Sequence, residues 1–181
     1  MVDSRYVRLA TDVREATASV ADFPKSGIDF KDITTVLKRG DLYAGIAEWL
    51  LERARSYGPI DKVVAVESRG YWFGCPLAVQ LGAGFVPIRK PDKLPRLTTF
   101  AVSVKEYGQD VLHIHKGDIV PGESVLLVDD LLATGGTVET SARLVEAERG
   151  ILKAVLTPVE LRFLNGRERI RYPLESLVVY E

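Results

Sequence analysis

The sequence predicts an α/β fold built on a mainly parallel sheet flanked by helices. Short, near-continuous apolar runs of strand length recur at Lys62–Glu67, Gly84–Ile88, Ser124–Val128 and Lys153–Val159, the pattern of strands buried on both faces. Stretches with apolar residues at helical spacing separate several of them, which is the βαβ alternation of a parallel sheet. Polar and glycine-rich loops follow the runs, where ligands of open α/β sheets bind. At 181 residues, 46% hydrophobic and 27% charged, the chain suits one domain, residues 1–181, with a substantial core. No internal repeat or low-complexity linker marks a second.

The elements follow in order. Leu42, Ile46, Trp49, Leu50 and Ala54 recur at helical spacing after Asp41, the expected N-cap, and Gly58-Pro59 ends the run. A strand at Lys62–Glu67 leads into a helix over Tyr71–Leu81, with Phe73, Leu77 and Leu81 facing the sheet, and then a strand at Gly84–Ile88. Thr98–Glu106 and Gln109–His115 are two extended arms around Tyr107-Gly108, a hairpin in place of another βαβ unit. The strand at Ser124–Val128, a helix over Val138–Arg149 and a strand at Lys153–Val159 complete the pattern.

Composition excludes several classes. Twenty-four Lys and Arg against 25 Asp and Glu give a net charge of −1, so no nonspecific nucleic-acid binding is expected. The N-terminus carries acids and no long apolar core, so neither a signal peptide nor a membrane span is expected there. The single Cys75 cannot form an internal disulfide and is expected to be a buried small hydrophobe in a reducing, cytoplasmic compartment. His113 and His115 share a strand face, but no third ligand stands beside them, and they are expected to face solvent.

Val125–Thr137 reads VLLVDDLLATGGT. Asp129 and Asp130 stand at the carboxyl end of the expected strand. Ala133-Thr134-Gly135-Gly136-Thr137 then forms a small-residue turn at a helix N-terminus, where free amides, hydroxyls and the helix dipole favour a phosphate. The Gly-Lys-Ser/Thr of a Walker loop is absent, so a triphosphatase of that type is excluded. Glu67-Ser68-Arg69-Gly70 falls on the same rim of the sheet, with a planar guanidinium suited to pyrophosphate and a glycine that permits close approach to it. Arg89, Lys90 and Lys93 add positive charge after another strand end.

These motifs resemble, in order, those of the type I phosphoribosyltransferases. The resemblance is to the adenine-specific group and runs from about Phe23 to Glu181. It implies a parallel-sheet fold with a base-covering hood over residues 1–36 and a flexible hairpin over 95–115. The implied reaction joins adenine to 5-phosphoribosyl-1-pyrophosphate (PRPP), giving AMP and pyrophosphate in purine salvage, with Mg2+ and as a homodimer. In that group the paired acids hold the ribose hydroxyls and the turn holds the 5-phosphate, which assigns these to Asp129, Asp130 and residues 133–137. Ser68, Arg69 and Gly70, following a peptide that is often cis, would meet pyrophosphate together with Lys90 and Lys93. Glu106, at the hairpin tip, is the implied acid/base group, and Tyr107 packs beside the reacting centre. In Phe23–Thr34, Phe30 would stack on the purine, while the main chain of Asp29 and Lys31 reads its edge; Leu161 lies near the base.

The chain departs from the group at Ser26, where proline is usual, at Asp29, where an apolar residue is usual, and at Pro91, where another basic residue is frequent. If the Asp29 carboxylate faces the base, adenine preference changes; if only its main chain does, recognition survives. The Mg2+ is expected through PRPP oxygens and waters, with Asp129 and Asp130 as the candidate direct ligands. Two other readings stand beside this one: a 6-oxopurine phosphoribosyltransferase, and a PRPP-sensing regulator without turnover. The FPKSGIDFKDIT segment and the presence of Arg69 and Glu106 favour the adenine enzyme.

Overall fold

A computed structural model describes residues 4–104 and 109–181, and for residues 104, 109 and 110 the backbone alone. It divides into two compact units, residues 1–49 and 50–181.

The first unit begins with helix α1 (Ser4–Ala16), followed by a small antiparallel ribbon of β1 (Ala18–Ala21) and β2 (Asp29–Asp32), the short helix α2 (Thr34–Leu37) and the start of α3 (Gly40–Arg55). Its buried apolar residues are Val13, Ile33, Val36, Leu42, Ile46 and Trp49. Asp41 is not the N-cap of α3 but lies inside its first turn, where a carboxylate meets the positive end of the dipole; Arg39 pairs with it at 2.7 Å. In the ribbon Phe30 lies opposite Val20, and Asp29 opposite Ala21. A cis peptide joins Phe23 to Pro24, and the Phe23 and Phe30 rings meet edge to face with centroids 5.2 Å apart.

The second unit carries β3 (Lys62–Val66), α4 (Arg69–Leu81), β4 (Gly84–Ile88), β5 (Thr98–Val104), β6 (Gln109–His115), β7 (Ser124–Val128), the two-residue β8 (Leu131–Leu132), α5 (Gly136–Ala147), β9 (Ile151–Leu161) and β10 (Leu174–Tyr180). The central sheet runs β10-β9-β7-β3-β4, with β8 also paired to β9, and its pairings are parallel. The expected parallel sheet is therefore present, and β9 and α5 extend beyond or begin before their sequence-based limits. Both faces are covered. On one, α4 packs so closely that a Cβ on Gly74 would lie 2.6 Å from the Ala65 methyl. On the other, Val138, Ala142, Leu144 and Val145 of α5 join Val64, Val66, Leu127 and Val155 in one buried cluster. This explains why the strands read as continuous apolar runs and not as alternation.

Strands β5 and β6 form a separate antiparallel hairpin, as the two arms suggested. An isolated pairing of Arg89 with His113 ties it to the chain beyond β4. The histidines differ from expectation. His115 is buried, at the end of the arm where the chain reverses and the Asp118 N–H donates to the His115 carbonyl at 3.3 Å. His113 is half-buried, stacks on Phe100, and shares a hydrogen bond of 2.9 Å with Thr98. Cys75 is also half-buried, not fully enclosed, and partial burial pushes its thiol pKa up. Among the described residues no helix is long and apolar enough to cross a membrane.

Candidate active site

The carboxyl ends of β3 and β7 open onto one cavity of about 740 Å³. Its wall includes Ser68 and Arg69 from the first loop, Lys90 from the loop after β4, Asp129 and Asp130 after β7, and the whole turn from Ala133 to Thr137. The sheet brings these together because β3 and β7 are adjacent parallel strands, so their loops emerge at the same edge.

The acid pair is almost entirely enclosed, with Asp129 8% and Asp130 3% exposed. Asp129 Oδ1 accepts the Asp130 amide at 3.0 Å. Burial pushes the Asp129 carboxyl well above its usual range, and the neighbouring Asp130 charge pushes it further. Burial also raises Asp130, against the opposing pull of the Arg69 guanidinium. Arg69 Nε lies 3.0 Å from Asp130 Oδ2. That contact is an ion pair by distance but not a well-aligned hydrogen bond, since Oδ2 is buried with no hydrogen-bond partner. A buried carboxylate oxygen without a hydrogen bond, in a residue of the cavity wall, is one whose bonding the described protein groups leave incomplete.

The first loop adopts the form that the resemblance implied: the Glu67–Ser68 peptide is cis. Glu67 is held by Arg89, whose Nε donates to it at 2.6 Å, and by the Lys90 amide at 3.1 Å. Burial pushes the Glu67 carboxyl up, but those two donors prevail and hold its pKa below the usual value. Arg89 is thus engaged in shaping the loop, with Nη1 also donating to the Lys93 carbonyl at 3.0 Å. Lys93 does not belong to the cavity wall, and neither does Gly70. What Gly70 permits is a close approach to the acid strand: a Cβ there would lie 3.0 Å from Asp129 Oδ1 and 3.1 Å from the Val128 carbonyl.

The turn owes its shape to glycine. Gly135 takes a φ of +79° as the cap preceding α5, a conformation that costs other residues energy. A Cβ on Gly135 would fall 2.4 Å from the Gly166 carbonyl oxygen, and one on Gly166 would fall 2.0 Å from that of Ala133. Gly166 is therefore part of the site's construction, and the sequence reading missed it; the Asn165-Gly166 pair was its one local signal, a turn signature. Ser103, from β5, also lines the cavity and was missed.

Leu161 is buried at the end of β9. Asp29, Phe30 and Lys31 lie on β2 in the first unit. There the Asp29 carboxylate accepts from Ser19 Oγ at 2.5 Å and from Lys31 Nζ at 2.7 Å, and these two contacts lower its pKa. Alternation along the strand places Phe30 on the opposite face of the ribbon from Asp29 and Lys31. Glu106 and Tyr107 lie outside the described residues. Among the described residues no group of three His, Cys, Asp or Glu side chains is arranged to hold a metal ion.

Comparison with known proteins agrees with this geometry. The family model described as the phosphoribosyl transferase domain matches residues 32–156. The adenine phosphoribosyltransferase of Caldanaerobacter subterraneus subsp. tengcongensis is 47% identical over 170 residues, covering 93% of this chain and 98% of that one. The crystal structure of adenine phosphoribosyltransferase from Thermoanaerobacter pseudethanolicus superposes with a TM-score of 0.86 at 43% identity, covering 94% and 99% of the two chains. That of Saccharomyces cerevisiae, complexed with an imino-altritol bisphosphate and adenine, gives 0.89 at 36% identity over 95% and 99%. With its parallel sheet, its acid pair and its glycine turn in place, the chain belongs to the phosphoribosyltransferase family, in the adenine phosphoribosyltransferase group.

Proposed function

We propose that the chain transfers the phosphoribosyl group of PRPP to adenine, giving AMP and pyrophosphate in purine salvage. The observation that carries this reading is the shared cavity: the buried acid pair and the glycine turn at the start of α5 face the Ser68-Arg69 loop. One wall suits ribose and its 5-phosphate, the other suits a pyrophosphate. In the reaction the bond from ribose C1 to pyrophosphate breaks and a bond from C1 to adenine N9 forms, with loss of the N9 proton. Positive charge develops on the ribose and negative charge on the leaving group, so the protein must stabilise both in a site that excludes water.

Asp129 and Asp130 are proposed to hold the ribose hydroxyls, their negative field favouring the cationic ribose. The amides and hydroxyls from Ala133 to Thr137 receive the 5-phosphate, as a helix N-terminus does for anions generally. Ser68, Arg69, Gly70, Lys90 and Lys93 are proposed for the pyrophosphate end. Their support is graded by position, since Ser68, Arg69 and Lys90 line the cavity while Lys93 contributes its carbonyl to Arg89.

The two carboxylates, one with an orphaned oxygen, fit a Mg2+ held mainly through substrate oxygens and waters. When bound, that ion would neutralise negative charge on the departing pyrophosphate. On the family resemblance, Phe30 stacks on adenine, the main chain of Asp29 and Lys31 reads its edge, Leu161 lies near it, Glu106 handles the N9 proton and Tyr107 packs beside the reacting centre. A homodimer in the cytoplasm is proposed on the same resemblance, and light scattering of the purified chain tests the first.

The function is tested by incubating the protein with PRPP, Mg2+ and each purine base in turn and measuring nucleotide formed. AMP from adenine is expected. Product from a 6-oxopurine alone would overturn the adenine assignment, and no product with any base would leave the PRPP-sensing alternative. Glu106→Gln is expected to slow turnover with PRPP binding nearly intact, and a wild-type rate would remove its acid/base role.

A further inference from the structure

Strand β5 runs along helix α5 and is fastened to it at successive points. Near the C-terminal end of the helix the buried Glu148 accepts from Thr99 Oγ1 and, at 2.7 Å, from the Gly117 amide. One to two turns earlier, Arg143 Nη2 donates to the Val102 carbonyl at 2.8 Å and to Thr140 Oγ1 at 3.1 Å. At the N-terminal end Ser103 Oγ lies 3.1 Å from the point that a Cβ on Gly136 would occupy. Arg143 therefore holds the peptide that leads directly into Ser103, and the result is a hydroxyl set against the first residue of α5.

Ser103 is unusual among the small residues of this strand. It is 5% exposed, it belongs to the cavity wall, and among the described residues its hydroxyl has no hydrogen-bond partner. Its Oγ is not one of the fully enclosed atoms that lack a partner, so the hydroxyl keeps access to the cavity that it lines and can donate to a ligand there. The missing partner is supplied if an anion occupies the turn.

We propose that Ser103 is a further ligand of the substrate's 5-phosphate, donating its hydroxyl to an oxygen that the turn's amides hold, and that Arg143 is the positioning residue acting through it. This rests on the reading of residues 133–137 as the 5-phosphate site. Ser103 adds to that site a donor from a different element, β5, so that the hairpin stem and the phosphate turn meet on one ligand. Its contact is with the phosphate end of the substrate, because Ser103 Oγ lies against Gly136, a residue of the phosphate turn itself.

The test is calorimetric titration of the full-length wild type, Ser103→Ala, Arg143→Met and the double variant with AMP and, separately, with pyrophosphate, each with Mg2+. Ser103→Ala should weaken AMP about tenfold, the scale of one hydrogen bond to a charged group. Pyrophosphate affinity should stay within about twofold and thermal stability should be preserved. Arg143→Met should weaken AMP by a smaller factor and add nothing in the Ser103→Ala background, the signature of one residue acting through another. Unchanged AMP affinity in Ser103→Ala, or equal losses for both ligands, would overturn the phosphate contact. Additive losses would overturn the positioning role of Arg143. Failure of the wild type to bind AMP at all would instead sink the reading of the turn on which the proposal stands.

Discussion

Asp129 accepts the backbone amide of Asp130 through Oδ1 at 3.0 Å, so two adjacent carboxylates share one buried corner of the cavity. Burial and the neighbouring charge raise the Asp129 pKa well above 3.8. A carboxyl whose pKa is raised in the folded state binds its proton more tightly there than in the unfolded chain. Its ionisation therefore costs stability above the folded pKa, and the cost disappears below the unfolded value. Asp129→Asn removes that cost while its side-chain oxygen can still accept the Asp130 amide. The variant should melt about 2–4 °C higher than wild type at neutral pH, the equivalent of about 1 kcal/mol, and the gap should close on acidification. Its kcat should fall by orders of magnitude. Scanning calorimetry across pH beside steady-state rates checks both, and a lower melting temperature at pH 7 would contradict the assignment of strain to this pair.

Arg69 is the cation that opposes the rise at Asp130, with Nε 3.0 Å from Oδ2. Replacing it by Met removes both a pyrophosphate partner and this restraint. The expected result is a loss of kcat/KM for PRPP of at least about tenfold, accompanied by displacement of the acid limb of the pH profile toward higher pH, because without the Arg69 charge burial raises Asp130 further. Rates measured from about pH 5 to 9 separate the two effects. A uniform loss without displacement would mean that Arg69 acts on substrate alone.

Gly166 is the counterpart of Gly135 across the turn, and the clearance between them leaves no room for a methyl group on either. In Gly166→Ala the new Cβ would meet the Ala133 carbonyl at 2.0 Å, a contact that only backbone movement can relieve. Overpacking of this kind costs about 1–3 kcal/mol, and the movement falls on the phosphate turn itself. The variant should lose stability by that amount and lose AMP affinity more than pyrophosphate affinity. Denaturant unfolding and titration of each ligand test this; an intact AMP affinity would show that the turn does not depend on Gly166.

These sites differ in how far the chain alone disclosed them. The parallel strands and the acid pair were legible because each is local: a run of Val and Leu buried on both faces, then charge where the strand ends. The glycine turn was legible for the same reason. Gly166 and Ser103 were not, because what makes them part of the site is contact with Ala133, Gly135 and Gly136, residues distant in the chain and brought close only by tertiary packing. Burial of His115 was equally hidden, since alternation along a strand specifies which residues share a face but not what covers that face. Asp29 is a further case: its place beside Lys31 and apart from Phe30 follows from the strand β2, which the loop-like, glycine-containing segment around it did not announce.

That arrangement bears on base choice. The Asp29 carboxylate is engaged by Ser19 and Lys31 on one face of the ribbon, while the Phe30 ring lies on the other against Phe23. If Phe30 is the purine platform, the carboxylate points away from the base, and Asp29 contributes to recognition through its main chain alone. Discrimination by fixed amide groups survives a side-chain change that leaves the backbone in place. Asp29→Val, a residue well suited to a strand, should therefore keep kcat/KM for adenine within about threefold of wild type, with 6-oxopurines still refused. The ion pair it breaks is half exposed, with Asp29 at 55%, and exposed pairs of this kind contribute little stability, so the melting temperature should barely move. Competition between adenine and hypoxanthine at limiting PRPP is the decisive measurement. A gain in hypoxanthine use would place the carboxylate, or the lysine it holds, at the purine edge.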